Sequence, residues 1–129
     1  MAIITGIFAA LLGLMFIALS VRTLLTRRRS QVAIGDGGNA ELLRAVRVHG
    51  NFAEYAPFAL LLLALSEING VSSTAVIAFN AALLIGRCSH AYGVSQVDEN
   101  YRYRVLGMSL TFTSIAGAAI CLITIAVVN

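Results

Sequence analysis

Four apolar stretches joined by short polar connections leave this chain few ways to fold. They run from Ala2 to Val21, Phe52 to Ser66, Val71 to Ile85 and Leu106 to Val128. A helix needs roughly 20 apolar residues to cross a ~30 Å hydrocarbon core. The first and last stretches meet that length alone, and the middle two meet it when their polar flanks are helical. Backbone groups in lipid must be satisfied internally, so each stretch is expected to be a helix. The composition agrees: 59% hydrophobic and 12% charged residues over 129 positions, with a mean hydropathy of +0.88, lie outside the soluble range. The expected fold is all-α, a bundle of four transmembrane helices forming a single integral membrane domain over residues 1–129.

All nine basic residues are arginine. Arg22, Arg27, Arg28, Arg29, Arg44 and Arg47 flank the first connection, and Arg87, Arg102 and Arg104 flank the third. The positive-inside rule then puts these two connections in the cytoplasm and both termini outside. The net charge of +3 reports topology in this reading, and no nucleic-acid partner is expected. The first stretch lacks the basic lead of a signal peptide and is read as a retained signal anchor. Cys88 and Cys121 differ too much in expected depth to bridge, and no Cys/His spacing suggests a metal.

The chemistry concentrates where the second stretch begins. Read as a helix, Arg44, Arg47, Asn51 and Glu54 follow i, i+3, i+7, i+10 and share a face, with Tyr55 and Phe58 beside them and His49 pointing elsewhere. Arg47 reaches Asn51 and Asn51 reaches Glu54, so the asparagine is the expected bridge. Pro57 frees one backbone carbonyl and predicts a kink just past Glu54. Asn39 and Ser72 to Thr74 offer N-caps, and Asn69-Gly70 marks a turn. The third helix carries Asn80, Arg87 and His90 toward the same membrane side, and Val94 to Tyr103 is expected as a polar cytoplasmic loop.

The deduced topology brings Arg22, Arg44, Arg47, Asn51, Glu54, Arg87, His90, Arg102 and Arg104 to one membrane level. Charges at such depth cost ~2.5 to 3.5 kcal/mol each on insertion scales and should face protein or water. An excess of arginine over one deep carboxylate, Glu54, makes an anion site, because guanidinium pairs carboxylates bidentately. The same residues also fit a purely structural role, with Glu54 clamped to an arginine of another helix or subunit. A small transporter is a third reading, although proton paths usually need several deep carboxylates.

Arg47-x-x-x-Asn51-x-x-Glu54-Tyr55-x-Pro57 and Gly86-Arg87-x-x-His90 resemble the helix-two and helix-three motifs of the MAPEG family, the membrane-associated proteins in eicosanoid and glutathione metabolism. The His90-Ala91-Tyr92-Gly93 form is similar to its bacterial branch. The resemblance implies a homotrimer in the bacterial inner membrane, with glutathione as bound thiol substrate near the cytoplasmic side. It further implies transferase or peroxidase chemistry on a small lipophilic substrate drawn from the bilayer, and no metal. Arg44, Arg47, Asn51, Glu54, Tyr55, Arg87 and His90 would bind the tripeptide. Where family members carry a thiolate-stabilising arginine early in helix four, this sequence has Met108 followed by Ser109, and Gly50 replaces a basic position in helix two. Arg104 or Arg102 is then the candidate substitute, and Arg104 and Ser109 are the candidate catalytic residues. A non-catalytic protein that retains the fold is the alternative.

Overall fold

The computed structural model describes residues 1–128, and Asn129, the C-terminal marker of the expected topology, lies outside them. Four helices follow in order: α1 (Ile3–Ser30), α2 (Ala40–Ile68), α3 (Ser73–Ser95) and α4 (Tyr101–Val128). At 1.5 Å per residue they are roughly 35 to 43 Å long, and all four are apolar enough to cross a membrane. No strand occurs among the described residues.

The ends of the helices follow from local chemistry. Helix α1 continues past Val21 through the arginine run, so Arg27, Arg28 and Arg29 occupy its last turn, where the helix dipole favours cations. It stops at Gln31, which adopts a left-handed φ of 55°. Asn39 caps α2 by accepting from Leu42 N at 2.9 Å, and Ser72 caps α3 through Ala75 N at 3.4 Å. Helix α2 continues through Pro57 to Ile68. Gly70, at φ +85°, turns the chain between α2 and α3.

The third connection is shorter than the polar pattern suggests. Helix α3 extends to Ser95 and α4 starts at Tyr101, leaving only residues 96–100 between them. Asn100 explains the early start: its Oδ1 accepts from Arg102 N at 3.1 Å, and its carbonyl from Tyr103 N at 3.2 Å. The tyrosines of the supposed loop therefore lie in the first turn of α4.

Lipid tails are as apolar as leucine, so close packing and hydrogen bonds, rather than exclusion from water, hold the helices together. Helix α1 packs on α2 and α3, and α4 packs on α3 and α2, whereas α1 and α4 do not meet. One buried cluster joins Leu12, Phe52, Ala56, Ala59, Leu63, Leu83 and Ala118 across all four helices. Glycine sets the closest approach, between α3 and α4. A Cβ on Gly107 would stand 2.6 Å from His90 N and 2.7 Å from Gly86 O, so neither helix tolerates a side chain there.

At the opposite end from the arginines, Glu67 fastens α1 to α2. Its two carboxylate oxygens accept from Ile4 N and Thr5 N, each at 2.8 Å, satisfying two of the otherwise unpaired amides of a helix start. Asn80, fully buried, donates to Thr5 Oγ1 at 3.2 Å and so ties α3 to the same point. The outward faces carry Ile7, Leu14, Leu24, Ile85, Ile120 and Ile123, the surface expected of helices that meet lipid.

Candidate functional site

Arg87 is the centre of the site. It is the largest fully buried side chain of the molecule, 1% exposed on α3, and the Gly86–Gly107 approach puts it directly beside α4. Its guanidinium spreads across two neighbouring helices. Nε donates to Thr111 Oγ1 at 3.0 Å, one terminal nitrogen to Asn51 Oδ1 at 2.8 Å, and the other lies 3.4 Å from Met108 Sδ. Thr111 donates its own proton to Gly107 O at 2.8 Å, which leaves a lone pair aimed at Nε. The Tyr55 ring covers the guanidinium, 5.7 Å from centroid to Cζ, and is braced by Phe112. No carboxylate pairs with Arg87 among the described residues.

Asn51 therefore bridges between helices rather than along its own. The expected Arg47–Asn51–Glu54 relay within α2 is replaced by the Asn51–Arg87 bond, because a buried guanidinium has stronger need of an acceptor than an exposed arginine does.

Above Arg87 a cavity of about 320 Å³ opens toward the arginine-rich end of the bundle. Leu43, Arg44, Arg47 and Asn51 from α2, His90 and Val94 from α3, Glu99 from the α3–α4 connection and Arg104 from the start of α4 line it. Arg44 is fixed by Val94 O at 3.0 Å, Val97 O at 3.3 Å and Glu99 Oε2 at 3.1 Å. Arg104 stands 3.8 Å from Glu99 Oε1. Arg47 is exposed and has no ion pair among the described residues.

Of the residues singled out from the sequence, Arg44, Arg47, Asn51, His90 and Arg104 line one cavity, and Arg87, with the Tyr55 ring against it, is joined to that cavity by its bond to Asn51. The others do not join them. Glu54 is exposed on the outer face of α2 and is unpaired among the described residues. Ser109 and Arg102 are exposed on α4 and do not line the cavity. His49 turns away, 2.9 Å from Ser20 Oγ and stacked on Phe16. Arg22 donates to Ser95 Oγ at the end of α3.

The carboxylate inside the cluster is Glu99, with a side chain 8% exposed, rather than Glu54. Sequence reasoning passed over it as a loop residue. The available signal was its place just before the α4 start, where a short connection returns it over the α2 arginines. Thr111 was equally silent, being one of several hydroxyls early in α4.

Comparison with known proteins matches the family model described as "MAPEG family" to residues 5–124. The chain is 36% identical over 112 residues to Inner membrane protein YecN of Escherichia coli K12, an alignment covering 87% of this chain and 84% of that protein. The protein of the same name from E. coli O6:H1 matches to the same extent. With four helices of spanning length and a relative of that description, this chain is an integral, multi-pass membrane protein.

Proposed function

Because this chain belongs to the MAPEG family, we propose that it is a membrane glutathione-binding protein that presents the bound thiol to a lipophilic electrophile from the bilayer, as a transferase or peroxidase. One observation carries the reading: three arginines, Arg44, Arg47 and Arg104, line the cavity over buried Arg87, and a single carboxylate, Glu99, offsets them. That excess of positive charge, next to Asn51 and His90, suits a flexible tripeptide with two carboxylates. Arg47 is free to take one of them. Arg104, whose guanidinium has donors enough to hold a ligand carboxylate and still lie beside the thiol, is the cation that would favour the thiolate and so raise the nucleophile's share at neutral pH. The position that carries an arginine elsewhere in the family is Met108 here, and its sulfur already lies against Arg87.

The assembly belongs to the same proposal. Glu54, an exposed carboxylate on a membrane-spanning helix, calls for a partner outside its own chain. A homotrimer supplies one, and the sites then lie at subunit contacts near the cytoplasmic face, with both termini on the other side. The same observation favours the second reading, a non-catalytic protein in which Glu54 is an intersubunit clamp.

Turnover separates the two. Purified protein in detergent, given glutathione and a lipophilic aryl halide or hydroperoxide, should form conjugate or glutathione disulfide above the uncatalysed rate, and Arg104→Ala should lower that rate at least tenfold. Binding without turnover would leave a thiol-binding protein. Neither binding nor turnover would leave the clamp.

A further inference from the structure

We propose that Arg44 and Arg104 form a second carboxylate subsite, and that Glu99 fills it in the free protein as an internal competitor that an incoming carboxylate displaces. This deepens the functional reading above and rests on its anionic ligand, though not on the ligand's being a thiol. Glu99 reaches into the cavity from the end of the α3–α4 connection with both oxygens engaged by arginines: Oε2 at 3.1 Å from Arg44 and Oε1 at 3.8 Å from Arg104.

The two halves of this grip are unequal. Arg44 keeps its position without Glu99, because Val94 O, within α3, also accepts from it. Arg104 is half exposed and too distant for a hydrogen bond, so Glu99 Oε1 is buried without a hydrogen-bond partner. An unbonded buried carboxylate oxygen is costly. A ligand carboxylate that Arg104 closes on at normal hydrogen-bond distance would make the contact that Glu99 misses. The connection carrying Glu99 is short and exposed at Gln96, Val97 and Asp98; it is held at Gln96 N by Gly93 O, at Val97 O by Arg44 and at Asn100 by the start of α4, so Glu99, which lies between the last two points, can swing out without unwinding α3 or α4. Ligand entry and release of this connection are then one exchange.

An internal competitor has the opposite signature to a ligand-binding or structural residue. Glu99→Gln should bind glutathione and glutarate, a plain dicarboxylate, about tenfold more tightly than the unmutated protein, with the gain lost in Glu99→Gln/Arg104→Gln. Unchanged or weaker binding of glutarate by Glu99→Gln overturns the proposal, and so does a gain that survives loss of Arg104. Tighter glutarate binding with no glutathione binding by either protein would uphold the subsite and sink the glutathione reading instead. A measurement on the unmutated chain guards against misfolding of the variant: amide hydrogen exchange over residues 96–100 should speed up at saturating glutarate, against the usual slowing by a ligand. Slower or unchanged exchange there contradicts displacement.

Discussion

A buried arginine with no carboxylate paired to it among the described residues is what this molecule has to accommodate. Arg87 is held by neutral acceptors on two helices, Asn51 and Thr111, in a planar fork that lysine cannot reproduce. Arg87→Lys should lower stability by about 1 to 3 kcal/mol, read as an earlier thermal transition in detergent. Thr111→Val keeps the shape but removes both the acceptor for Nε and the hydroxyl's own bond to Gly107 O, so it should cost about 1 to 2 kcal/mol. A transition unmoved by Thr111→Val would mean that Nε has another partner. The importance of Arg87 was legible in the sequence, since a charge on an apolar helix must face protein. Its partners were not: which hydroxyl of α4 meets it depends on the crossing of two helices, and Ser109, Thr111, Thr113 and Ser114 look alike along the chain.

Between helices, two contacts decide geometry. Gly107 lets α4 lie against the backbone of α3 at His90, so Gly107→Ala should push the helices apart, costing about 1 to 3 kcal/mol by overpacking and weakening ligand binding with it. Gly13→Ala is the control, because a Cβ there meets nothing within 4 Å in the chain. Equal effects of the two substitutions would count against the close approach as the cause. At the other end, Glu67→Ala removes two charge-assisted acceptors from the start of α1 and should cost about 1 kcal/mol, seen as faster amide exchange at Ile4 and Thr5. Four helices, their caps at Asn39 and Ser72 and the turn at Gly70 were all readable, because each depends on neighbours in sequence. The short α3–α4 connection was not. Tyr101 to Tyr103 read as the end of a polar loop, whereas Asn100 caps them into α4 and Gly93 packs against Tyr103, a tertiary contact that overrides polarity.

In the whole molecule a MAPEG-family fold encloses an arginine-rich cavity. Glu54, legible as a functional carboxylate, faces out of its own chain while Glu99 enters the cavity, so spacing along one helix identified the charged face but not which of its members turns inward. Glu54→Gln therefore tests assembly first: in the clamp reading the oligomer dissociates or melts earlier, with a penalty on the order of 3 to 5 kcal/mol for a broken buried pair. In the ligand reading Glu54 meets the glutathione amine at a hydrated subunit contact, so the oligomer, measured by native mass, survives while affinity falls. The central claim, that the cavity lined by Arg44, Arg47 and Arg104 takes glutathione, is tested most directly by calorimetric titration of glutathione into the purified protein in detergent, unmutated and as Arg47→Ala. The account predicts saturable heat with a dissociation constant of about 1 mM or below, and a roughly tenfold loss, about 1.4 kcal/mol, in Arg47→Ala at an unchanged melting temperature. Absence of heat from folded protein at about 10 mM glutathione, well above that constant, or an Arg47→Ala variant that binds as tightly as the unmutated chain, would contradict it.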